Sequence, residues 1–230
     1  MEVQALSVEN NLKQIQANIN EACRISNREP SEIKIIAVTK YVSIETAKKA
    51  IKAGIKNIGE NRDSGLLDKW QGIGDQAIWH FIGTLQSRKV KNIIDHVDYI
   101  HSLDRLSLAK EINTRVNRKI KCFVQVNASK EPSKHGLQEE EVLPFIEQLG
   151  QYPNIIIEGL MTMAPLTDNE ELLRNTFKKV KELQKKVQAT ALPYAPCTEL
   201  SMGMSNDYKI AIEEGATMIR IGTALVGKEF

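Results

Sequence analysis

Eight short runs of apolar, mostly β-branched residues recur along the 230-residue chain, and stretches with apolar positions at helical spacing follow them. The runs cover 33–40, 55–59, 77–83, 97–102, 120–127, 155–160, 198–201 and 217–222. The helical stretches cover 7–28, 43–53, 60–70, 90–94, 103–117 with Asp104 as its cap, 139–149, 168–188 and 206–214. Strand-then-helix units of this length, repeated eight times, predict an α/β fold: a single-domain (β/α)8 TIM-type barrel over residues 1–230, with an extra N-terminal helix. A doubly wound open sheet is the competitor, but no G-x-G-x-x-G follows the first strand. Antiparallel layouts fit worse, because no Asn-Gly or Asp-Gly hairpin turn is present.

Charge narrows the function classes. The chain carries 31 basic and 29 acidic residues, a net charge of +2, which gives no electrostatic case for nucleic acid or an anionic membrane. The lysines of the 168–188 helix read as its wet face. Cys23, Cys122 and Cys197 are far apart and odd in number, so a reducing compartment is expected, with neither a disulfide framework nor a zinc site. Residues 1–7 lack the basic-then-apolar order of a signal peptide, and no run of about 18 apolar residues exists to span a bilayer. A cytoplasmic protein is expected. The lack of an apolar surface stripe favours a monomer.

Chemistry is expected at the C-terminal ends of the strands, where barrels of this kind carry their sites. The first strand ends in Lys40. A lysine there either leaves the strand for solvent or uses its amine, because an unpartnered ammonium costs several kcal/mol to desolvate. Strands 7 and 8 end in Ser201-Met202-Gly203-Met204-Ser205 and Arg220-Ile221-Gly222-Thr223. Ser201 and Thr223 offer hydroxyls, Gly203 and Gly222 open the backbone N–H groups to an anion, and Arg220 supplies a fixed positive charge. The helix starting near Asn206 adds its dipole. Alternation puts Arg220 on one face with Met218 and Gly222, opposite Ile219 and Ile221. An arginine in such a run needs an anion or a carboxylate, and Glu199 on the neighbouring strand is the internal rival to a phosphate. Strand 1 neighbours strand 8 in a closed barrel, so an amine would face an anion cradle. A ligand with an aldehyde at one end and a phosphate at the other, such as pyridoxal 5′-phosphate (PLP), suits that pair.

Several segments occur together in one order: Ala37 to Lys40, Gly59-Glu60-Asn61, Trp79 to Gly83 with Leu85-Gln86, Ser133 to Gly136, Gly159-Leu160-Met161, Leu200 to Ser205, and Arg220 to Gly222. Over nearly the whole chain they closely resemble the pyridoxal phosphate homeostasis protein family, whose barrel is similar to the N-terminal domain of alanine racemase. The resemblance implies that Lys40 holds PLP as a Schiff base. It implies that Ser201, Gly203, Arg220, Gly222 and Thr223 form the phosphate region, and that Asn61 and His80 lie near the cofactor ring. Lys134 matches a loop lysine linked to cofactor entry or exit. The chain departs from many relatives at Arg62-Asp63-Ser64 and at Thr84.

Three functions follow as expectations. The first is PLP homeostasis: buffering the reactive aldehyde, supplying it to PLP-dependent apo-enzymes, and affecting amino-acid and keto-acid balance, without an established catalysed reaction. The alternative is a PLP-dependent amino-acid racemase-like enzyme, which needs a proton-transfer group on each face of its substrate. The third is an interaction module that uses PLP as a signal.

Overall fold

The strand runs do form strands, and all eight close into one parallel barrel in the order β1 to β8. The computed structural model describes residues 7–132 and 134–230. Residues 1–6, on which the reading of the N-terminus rests, and Ser133 of the Ser133-to-Gly136 motif lie outside the described residues. The strands are β1 (Lys34–Val38), β2 (Asn57–Glu60), β3 (Ile78–Phe81), β4 (Tyr99–Leu103), β5 (Ile120–Gln125), β6 (Ile155–Met161), β7 (Glu199–Ser201) and β8 (Met218–Ile221). The helices are α1 (Val8–Ser26), α2 (Ile44–Lys52), α3 (Asp63–Ile73), α4 (Val90–Ile93), α5 (Leu106–Arg115), α6 (Glu139–Gln148), α7 (Glu170–Ala189), α8 (Tyr208–Glu213) and α9 (Thr223–Val226).

The extra N-terminal helix is α1. Ser7 caps it by accepting from the Asn10 N–H, and Asn27 ends it in the left-handed region at φ 55°. It packs on α8 and α9, so it covers the outside of the barrel beside β8.

The starts of α3 and α5 differ from the expectation. α5 begins at Leu106 rather than 103, because β4 continues through Leu103. Asp104 does not cap it; its carboxylate accepts from Arg105 instead. α3 begins at Asp63, since Glu60 completes β2. Asp63 accepts there from Lys89 and Asn92, so the Arg62-Asp63-Ser64 departure lies at a helix start.

Alternation along the strands separates two apolar layers. Outward residues such as Ile58, Ile100, Leu160, Ile219 and Ile221 join Leu66, Leu108, Ile112 and Phe177 of the helices in one continuous core. Inward, Ile36, Phe123, Met161 and Met218 form a small plug inside the barrel. Among the described residues no helix is long and apolar enough to cross a membrane.

Candidate functional site

A cavity of about 480 Å³ opens at the C-terminal ends of the strands. Lys40, Asn61, Arg220, Gly222 and Thr223 line it, together with Ser205 and Asp207. These residues come from loops after β1, β2, β7 and β8, and from β8 itself. His80, Ser201 and Gly203 do not line it, and all three are buried.

Lys40 sits two residues past the end of β1, in an exposed turn, with its Nζ 4.8 Å from the centre of the Tyr41 ring. The turn is held from behind. The Thr39 N–H donates to the Gly59 carbonyl at 3.1 Å, and the Thr39 hydroxyl donates to Glu60 at 2.5 Å. Glu60 is fully buried and pairs with the buried Lys69 of α3 at 3.0 Å. The carboxylate therefore faces away from the cavity and anchors the strand end next to Lys40. The C-terminal tail holds the other side. The Glu229 N–H donates to the Tyr41 carbonyl, and the Glu229 carboxylate accepts from the Ser43 N–H and the Thr46 hydroxyl at the start of α2. Across the β2 and β3 ends, Asn61 and Gly83 line the cavity together. A Cβ on Gly83 would fall 2.3 Å from the Asn61 carbonyl oxygen, so a side chain there would push Asn61 away.

Arg220 lies opposite Ile36 in the β1–β8 register, so the amine and the guanidinium rise from adjacent strands. Arg220 is only 4 % exposed. Its Nη1 donates to Ser201 Oγ at 2.6 Å and its Nη2 to the Thr162 carbonyl at 2.9 Å. Burial draws its pKa down to about 10, with Asp207 opposing that, so the group stays cationic at neutral pH. No carboxylate among the described residues forms an ion pair with it. The rival partner Glu199 pairs with Lys34 at the other end of the barrel. That leaves a buried cation lining the cavity with Asp207 near it but no carboxylate among the described residues in ion-pair contact, an arrangement that fits an anionic ligand.

The expected anion region splits in two. Ser205, Gly222 and Thr223 line the cavity, whereas Ser201 points into the barrel because it ends β7 on the inward face. Gly203 has φ +94°, and a Cβ there would come within 2.6 Å of Ala211 Cβ. Its bare backbone lets α8 pack against the end of β7. α8 starts at Tyr208 rather than near Asn206. The preceding Asp207 accepts from the Met204 N–H at 2.6 Å, and burial raises its pKa. Lys134 pairs with Glu131 at 2.9 Å and donates to the carbonyl of Met163, a cavity-lining residue.

His80 stands deeper in the barrel. Its Nδ1 is 2.8 Å from His101 Nε2, and its Nε2 is 3.0 Å from Asn57 Oδ1. His101 Nδ1 is in turn 2.9 Å from Ser201 Oγ. Burial lowers the pKa of His80 to about 3, helped by Lys34, and holds His101 well below the usual range, helped by His80 and Arg220. Both rings are therefore neutral. The sequence reading missed His101, Thr162, Asp207 and the Thr39–Glu60–Lys69 anchor. Only the inward period of β4 could have flagged His101.

The profile described as alanine racemase, N-terminal domain, matches residues 10–229. The pyridoxal phosphate homeostasis protein of Aquifex aeolicus is 38 % identical over 224 residues, covering 94 % of this chain and 96 % of that one. That of Haemophilus influenzae is 36 % identical over 228 residues, covering 96 % of each. Among solved structures, PipY of Synechococcus elongatus with PLP bound superposes with a TM-score of 0.83 at 31 % identity, covering 96 % of this chain and all 100 % of that one. Alanine racemase of Clostridium difficile is 19 % identical with a TM-score of 0.75, covering 93 % of this chain and 56 % of the enzyme, a likeness of fold.

Proposed function

Because the chain belongs to the pyridoxal phosphate homeostasis protein family, built on the alanine racemase N-terminal domain, we propose that it binds PLP in the barrel-mouth cavity and acts in PLP homeostasis. One observation carries the reading: a primary amine and a buried guanidinium, with no carboxylate among the described residues in ion-pair contact with it, line the same cavity from adjacent strands. When bound, PLP supplies an aldehyde that condenses with a primary amine, together with a dianionic phosphate.

Each residue then has a task. Lys40 presents the amine for covalent attachment, and the Thr39–Glu60–Lys69 anchor with Glu229 holds its turn in place. Arg220 provides fixed positive charge at the cavity floor. Ser205 and Thr223 offer hydroxyl donors, and Gly222 leaves the backbone open between them. Asn61 and Gln125 supply polar groups on the remaining wall. His80 and Ser201 do not line the cavity; Ser201 accepts from Arg220, and His80 is linked to Ser201 through His101.

The role is carriage: holding the aldehyde, and supplying it to PLP-dependent apo-enzymes. A recipient would meet the rim, where Tyr41, Met204 and the 91 %-exposed Leu166 surround the opening. The buried free thiols Cys23, Cys122 and Cys197 support a reducing, cytoplasmic setting, and the reading takes the protein as a monomer.

The test is spectroscopic. PLP added to the purified protein is expected to give a visible absorbance band. Borohydride is expected to fix the added mass on the peptide carrying Lys40. A protein that stays colourless with excess PLP, or that carries the label on another lysine, rejects the reading. Rapid exchange of the α-proton of an added amino acid would replace carriage with racemase-like catalysis.

A further inference from the structure

A run of polar groups crosses the inside of the barrel from the cavity toward its opposite end. It joins Arg220, Ser201, His101, His80 and Asn57 through contacts of 2.6, 2.9, 2.8 and 3.0 Å. Ser201, His101 and His80 are each at most 0 % exposed, and the apolar plug of Ile36, Phe123, Met161 and Met218 occupies the same interior. Polar groups in such a place need a use, since each is costly to bury unless fully satisfied.

The order of donors and acceptors follows from one fixed end. Arg220 has only donors, so Ser201 Oγ accepts from it. The Ser201 hydroxyl hydrogen then goes to His101 Nδ1. If His101 donated instead, Ser201 would accept twice and bury an unpaired O–H. With Nδ1 accepting, neutral His101 carries its hydrogen on Nε2 and donates to His80 Nδ1. His80 must then carry its own on Nε2 and donate to Asn57 Oδ1, which is an acceptor oxygen. Every link has one donor and one acceptor. Aromatic stacking holds both rings: His80 lies 4.5 Å from Tyr99 at an interplanar angle of 4°, and His101 lies 4.3 Å from Phe123 at 13°.

We infer that His101 and His80 are positioning residues for ligand binding: their one-way hydrogen-bond chain fixes the Ser201 lone pair on Arg220 and so aims the guanidinium at the anionic ligand of the cavity. The inference rests on the PLP reading for the identity of that ligand. The tautomers it requires do not depend on that identity. A protonated His101 would place a second cation beside Arg220 and turn a donor toward Ser201, so the chain works only with neutral rings.

Two measurements decide it. Long-range ¹H–¹⁵N correlation on the ¹⁵N-labelled full chain at neutral pH is expected to show both rings protonated on Nε2 alone. A ring with its hydrogen on Nδ1, or a doubly protonated ring, overturns the inference. PLP titration followed by the visible band is then compared among variants. His101→Phe keeps the stacked shape without hydrogen bonds and is expected to weaken binding on the order of tenfold. His101→Gln can still accept and donate, and is expected to recover affinity to within about threefold of wild type. Equal binding by wild type and a folded His101→Phe protein overturns the inference alone. A wild type that takes up no PLP overturns the reading of the cavity. If His101→Phe fails to fold, the tautomers and the His101→Gln titration still decide the matter.

Discussion

The two faces of the barrel sheet follow different rules. The face toward the helices is apolar and continuous, with Ile58, Ile100, Leu160 and Ile219 packed on Leu66, Leu108 and Phe177. The face toward the lumen has four plug residues, then a charged guanidinium, two neutral histidines and a serine bonded in series. Apolar burial of the first kind stabilises almost any barrel of this size. Polar burial of the second kind adds little net stability, and it is tolerated when the groups satisfy one another and face a ligand. The shell therefore accounts for folding, and the upper lumen for the polar floor of the cavity.

The widest separation should come from Lys40→Ala. It is expected to abolish the visible band with PLP while moving the thermal midpoint by less than about 2 °C, because the residue is exposed. Leu108→Ala, in the shell, is expected to cost about 3 kcal/mol in denaturant unfolding and to leave PLP affinity unchanged. A large affinity loss there would break the division between the faces. Arg220→Gln should act the other way, weakening PLP binding by roughly 30-fold, or about 2 kcal/mol, in an equilibrium titration.

Acid sharpens the same contrast. His80 and His101 have pKa values depressed on folding, so below the unfolded value of about 6.5 the unfolded chain binds protons that the folded one refuses. Stability from this source is complete above about pH 6.5 and falls as pH drops toward about 3 for His80. The expected slope is about 1.4 kcal/mol per pH unit for each histidine. Replacing His101 with Gln should flatten the curve; an unchanged slope would remove the lumen histidines from the account. Glu229→Ala, which removes an acceptor from the start of α2 and loosens the Lys40 turn, should have the smallest effect. It is expected to cost about 1 kcal/mol, with slower borohydride-detected attachment.

Much of this plan is legible from residue order. The eight apolar runs give eight strands, and closure then makes β1 and β8 neighbours, which brings Lys40 and Arg220 to one opening. The period of two puts Arg220 inward between Met218 and Gly222. The site is legible where a residue's position on its strand decides its direction. It is less so in the loops: Ser201 and Ser205 lie four residues apart in similar company, yet only Ser205 lines the cavity.

Order along the chain thus determined the strand count, the closed α/β architecture and the meeting of Lys40 and Arg220 at one end of the barrel, because those depend on local periodicity and on connection lengths. Tertiary structure alone decided that Glu199 goes to Lys34, that Glu60 turns outward to Lys69, and that His80 meets His101 and not the cavity. Partners of that kind are up to 165 residues apart in sequence. The shear of the closed sheet and its register shifts in β4–β5 and β5–β6 set which side chains share a level. No window of local sequence contains that information.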